Sequence, residues 1–195
     1  MNDIQLNYII CIEEQLNRRD SASFSLMKEA DLTRFPPAAG NPAAFEDALM
    51  RLQEGNMAME FVQQRLRQMG YIKGKRTDYP SFYREARINA DVWSNFRSGT
   101  VASSKPTLLK IVIALRLNED EARHFLSLAG KAYNAMEMTD RIIFACIDLG
   151  IYDPDTICEI LVYYKRVYAK KGIVVNDIYA DDARTANRAH RQKTE

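Results

Sequence analysis

The chain is poor in the residues that build reactive or cross-linked sites. Only two histidines, one tryptophan and three cysteines occur in 195 residues. Cys11, Cys146 and Cys158 lie far apart, their number is odd, and no CxxC pair occurs. That argues against a disulfide framework and against a structural zinc site. Each cysteine sits among apolar neighbours, so buried, inert thiols are expected. His124 falls on a helix by its spacing and His190 in a polar stretch, so no metal site and no cofactor are expected. Long apolar runs are missing too. The run from Tyr8 to Ile12 meets Glu13 and Glu14 at once, far short of the roughly 18–20 residues that span a bilayer. No basic region precedes it and no small-residue cleavage site follows it. The expectation is a cytoplasmic protein without membrane contact. No P-loop, dinucleotide fingerprint or Ser/His/Asp grouping is found. Asp153 and Asp155 are better explained as helix caps than as paired acids, so no catalytic residue is assigned and the chain is read as a non-enzyme.

What the sequence does have is apolar residues in helical spacing, at 47% hydrophobic content, and an uneven distribution of charge. Residues 1–56 carry 5 basic and 9 acidic side chains, residues 57–131 carry 13 and 7, and residues 132–195 carry 9 and 10. The small net charge of +1 therefore hides a basic centre, which favours an anionic partner for the middle of the chain.

The spacing predicts an all-α fold. Ile4, Tyr8, Ile12 and Leu16 line one face of a helix over residues 2–18. A break rich in Pro36, Pro37, Gly40 and Pro42 follows, then a helix bearing Phe45, Leu49 and Leu52. Phe61, Val62, Leu66 and Met69 mark the next helix, ended by Gly70. The basic stretch from Tyr71 to Asp78 reads as a loop. Asp78, Asn89, Ser104 and Asn118 are placed to cap four further helices, with capping-box spacing from Asn118 to Glu121. Two more helices follow, the second capped by Asp153 or Asp155. No strand pair is evident, "GIVV" having no partner. The expected organisation is an N-terminal extension (1–56), a central unit (57–131), a helical pair (132–172) and a polar tail (173–195).

The central five helices, with two short ones joined by a tight turn, resemble the lambda-repressor/Cro-like helix-turn-helix domains. Ile88 stands at the family's aliphatic turn position, Trp93 and Phe96 at its buried pair, and Gly99 at its terminal glycine. Two positions depart from the pattern: Tyr83 stands where a small residue is usual, and Arg87 where glycine is usual. A longer resemblance spans roughly residues 61–165. Its features are the aromatic before Ala86, the "SKPT" helix start, the "LAG" stop and the trailing helical pair. It is similar to a helical module at the C-terminal ends of some bacterial macrodomain proteins and in small standalone proteins. Together these imply a bacterial or phage-related protein with a repressor-like helix-turn-helix core.

The resemblance implies a DNA-binding transcriptional regulator whose helix Ala90–Ser98 enters the major groove of double-stranded DNA. Asn89, Asp91, Ser94 and Asn95 then face the bases, and Lys73, Lys75, Arg76, Arg97 and Lys105 contact phosphates. A homodimer would serve such a regulator, with the N-terminal helix or the tyrosines Tyr163, Tyr164 and Tyr168 as its interface or as core. The alternative is a non-enzymatic helical adaptor that binds a protein partner in a defence or toxin–antitoxin system. Asp91 repels phosphate, and the outward face lacks the arginine or glutamine that dominates base readout.

Overall fold

The computed structural model describes residues 7–18, 57–74 and 76–180. The expected helix bearing Phe45, Leu49 and Leu52, the proline-rich break and the stretch from Asp181 lie outside the described residues. Within them the fold is all-α, with eight helices and one short hairpin. Helix α1 covers residues 7–18 and α2 covers Met57–Gln68. The hairpin pairs β1, Ile72–Lys73, with β2, Arg76–Thr77. Then come α3 (Tyr79–Glu85), α4 (Ala90–Ser98), α5 (Lys105–Ala114) and α6 (Glu119–Leu128). The pair α7 (Met138–Asp148) and α8 (Pro154–Ala169) completes the series.

Side chains set most helix starts. Asp78 accepts from the Ser81 N–H, Ser104 from that of Thr107 and Asp153 from that of Thr156. Asn118 and Glu121 exchange both bonds of a capping box. Each cap satisfies a backbone donor that the first helical turn leaves free.

The hairpin corrects the expectation of a plain loop. Ile72 pairs with Thr77 and Lys73 with Arg76 in antiparallel register. Gly74, at φ 61°, supplies the left-handed conformation that a two-residue connection needs. Strands of two residues are too short to print an alternating pattern, which is why the sequence conceals them. "GIVV" forms no strand: Val174 is exposed and Val175 buried.

The core centres on α5, in which every residue from Leu108 to Ala114 is buried. A helix apolar on all sides is one that its neighbours surround. Phe61 of α2 meets Phe125 of α6 at 5.8 Å between centroids. Helix α1 lays Ile9, Ile12 and Leu16 into the same core. The Tyr164 hydroxyl donates to the Ile9 carbonyl at 3.3 Å, and Arg141 to that of Leu16 at 3.2 Å. Of the three tyrosines on α8, Tyr164 is therefore a core residue. Two expectations need correction. Cys11 is exposed and only Cys146 is fully enclosed, because Cys11 lies on the side of α1 opposite its buried stripe. Residues 173–180, grouped with the polar tail on composition, place Val175, Ile178 and Tyr179 in the core.

Candidate nucleic-acid interface

The turn between α3 and α4 is held by backbone geometry. The Arg87 N–H donates to the Arg84 carbonyl at 3.0 Å, and the Ile88 N–H to that of Tyr83 at 2.8 Å. This pairing is a Schellman closure, with Arg87 as its left-handed residue at φ 52°. Arginine takes this conformation at a cost that glycine avoids. The buried Lys110 ammonium donates to the Arg87 carbonyl at 2.9 Å and helps to hold the turn, and Arg87 also pairs with Asp155 of α8 at 2.7 Å in a contact open to water. Lys110 also lies 5.2 Å from the centroid of the Tyr179 ring. Ile88 and Ala86 point inward, as expected from their positions. Tyr83 is half-buried against the core rather than enclosed.

Asn89 starts α4 by accepting from the Asp91 N–H at 2.8 Å. Its carbonyl oxygen is thus committed, and the bidentate contact to adenine expected of it is lost to the cap; the side-chain amide nitrogen stays available. Gly99 ends the helix at φ 67°. Trp93 and Phe96 anchor it: Trp93 lies 5.2 Å from Phe82 and 5.6 Å from Phe96, and Phe96 lies 6.3 Å from Phe125. Every other residue from Asn89 to Arg97 is exposed. Asp91, Ser94 and Asn95 are among them, and so is Val92.

The basic residues separate into two groups. Lys73 and Arg76 face each other across the hairpin, both exposed. Arg97 is exposed on α4, with its guanidinium 5.4 Å from the Tyr79 centroid. Lys75 lies outside the described residues. Lys105 does not join them. Its ammonium sits 2.6 Å from Asp140 and 3.1 Å from Glu137, and only 18% of its side chain is exposed. Burial opposes its charge, but the two carboxylates prevail and hold its pKa above the usual lysine value. Burial lifts the Asp140 carboxyl above the usual range against the pull of Lys105. Lys105 thus ties α5 to α7 and is a poor candidate for a phosphate contact.

Among the described residues no group of three or more His, Cys, Asp or Glu side chains could hold a metal ion, and no helix is long and apolar enough to cross a membrane. His124 is exposed and sets its ring edge-on to Phe61. No family model, curated protein or solved structure matches the chain.

Proposed function

We propose that the chain is a DNA-binding regulator in which α3 and α4 form a helix-turn-helix and α4 enters the major groove by its N-terminal half. One observation carries this reading. Helix α4 turns only Trp93 and Phe96 inward and leaves the rest of Asn89 to Arg97 uncovered. That is a rigidly anchored helix with a free polar face. Ser94 and Asn95 read base edges, Asp91 accepts from a cytosine amino group and Val92 meets a thymine methyl. Lys73, Arg76 and Arg97 supply phosphate contacts, and Lys75, outside the described residues, is proposed with them. A second copy of the chain engages a neighbouring half-site, and the exposed Tyr8 and Ile10 of α1 suit contact between copies.

The adaptor reading draws support from the commitment of Lys105 to Asp140 and Glu137, which leaves the face less basic, and from the exposed Val92 beside the acidic Asp91. Titration of labelled random and genomic duplexes at several salt concentrations separates the two. On the DNA reading, Arg97→Ala lowers affinity for all sequences and flattens the slope of log K against log salt by about 0.9, the value of one phosphate contact. Asn95→Ala shifts the preferred sequence by about 1–3 kcal/mol and leaves the slope unchanged. Retention of no duplex at low salt would sink the reading and leave α4 as a surface for protein.

A further inference from the structure

The turn from α3 to α4 and the turn from α5 to α6 share one design. In "ARIN", Ala86 closes α3, Arg87 is left-handed, Ile88 is buried and Asn89 caps α4. In "LRLN", Leu115 closes α5, Arg116 is left-handed at φ 50°, Leu117 is buried and Asn118 caps α6. Among the described residues these arginines are the only non-glycine positions with positive φ. Both line one cavity of about 590 Å³, and Arg84 of α3 lines it as well. The start of α8, Tyr8 and Tyr152 line it too. Strained backbone that the fold tolerates twice around one cavity points to a site.

Three arginines and three acids line the cavity, so its formal charges sum to zero, and each acid already has a partner. Glu85 takes the Tyr71 hydroxyl, Asp153 takes the Thr156 N–H and hydroxyl, and Asp155 takes Arg87. Among the described residues no carboxylate forms an ion pair with Arg84 or Arg116. The Arg87–Asp155 pair is itself open to water, its side chains 32% and 75% exposed. Pairs so exposed contribute little and are readily exchanged for a better anion. Guanidinium groups hold phosphate oxygens in bidentate geometry. A cavity of this volume accommodates a molecule of nucleotide size, and two tyrosines are among its lining residues.

We propose that this cavity binds a small phosphate-bearing effector through Arg84, Arg87 and Arg116. The ligand draws Arg87 from Asp155 and so loosens the tie between the α3–α4 turn and α8. The binding step stands on the cavity alone; its consequence for DNA rests on the function proposed above.

The test is therefore made first without DNA. Pyrophosphate and adenosine 5′-monophosphate are titrated into the full chain at constant ionic strength, with melting temperature and calorimetric heat as readouts. The expected result is saturable stabilisation by at least one probe. Arg84→Gln and Arg116→Gln each weaken it about tenfold or more, as loss of a charge-assisted contact does, while the unliganded melting temperature stays near that of the parent. Absence of a saturable response to either probe overturns the proposal, as does a response that both variants retain in full. A third arm uses a short duplex. If only the duplex binds and its affinity depends on Arg84 and Arg116, the cavity belongs to the DNA surface and the effector proposal fails. If a probe binds but no duplex does, the effector site stands and the DNA reading falls.

Discussion

Trp93 shows how much a single side chain in this chain is asked to do. It joins Tyr79, Phe82 and Phe96 in one aromatic cluster and is the main tie between α4 and the core. Among the described residues its indole Nε1 finds no acceptor, so its contribution comes from packing. Trp93→Ala should lower the unfolding free energy by about 3–5 kcal/mol, measured by urea denaturation. Trp93→Phe should recover much of the loss, because no hydrogen bond is forfeited. Equal stability of the alanine variant would show that α4 is anchored some other way. Arg116 makes the opposite case. Its left-handed backbone costs about 1–2 kcal/mol, part of which glycine returns as unfolded-state entropy. Arg116→Gly should raise the melting temperature by about 2 °C while weakening the response to pyrophosphate about tenfold or more. Loss of stability in that variant would mean that the side chain is structural.

At the scale of elements, the helix starts carry a pH dependence. Hydrogen bonds from the Thr156 side chain and backbone hold the Asp153 carboxyl below its usual range. Its folded pKa therefore lies under the unfolded value of about 3.9. The stabilisation is complete above that value and fades as the pH falls through the folded pKa. Asp153→Asn keeps a capping oxygen but does not titrate. Its melting temperature should fall less than the parent's between neutral pH and pH ~3. Matching acid limbs in the two proteins would remove Asp153 from the account. Lys105 belongs to this scale too, since it links the starts of α5 and α7. Lys105→Ala leaves Asp140, only 1% exposed, without its cation. It should cost about 3 kcal/mol in urea denaturation and leave the salt slope of any DNA binding unchanged. A flattened slope with unchanged stability would return Lys105 to the phosphate contacts.

Across the whole molecule, the stretch after α8 closes the structure. Val175, Ile178 and Tyr179 are buried, and the Asn176 N–H donates to the Thr139 hydroxyl at 2.8 Å. Each buried apolar side chain contributes about 1.5–3 kcal/mol, against a total of about 5–15 kcal/mol for a typical domain. A chain ending at Gly172 should therefore be near unfolding at 37 °C, while one ending at Ala180 keeps this packing. Circular dichroism melts of the two compare them directly, and near-identical melts would show that residues 173–180 contribute little.

Local rules were legible because they act over one helical turn. The caps at Asp78, Asn89, Ser104, Asn118 and Asp153, the stops at Gly70, Gly99 and Gly130, and the inward Trp93 and Phe96 all follow from residue type and a period near 3.6. The basic character of residues 57–131 is equally a property of the sequence. What its charges do is not. Lys105 and Arg97 look alike along the chain, yet one is held by Asp140, 35 positions away, and the other is exposed over a tyrosine ring. Lys110 reads as an oddity in an apolar helix until the Arg87 carbonyl, 23 positions earlier, arrives beside it. The cavity of Arg84, Arg87 and Arg116 draws on α1, two turns and the start of α8. Coulomb energy and burial depend on distances through space, and those exist only once the helices have packed.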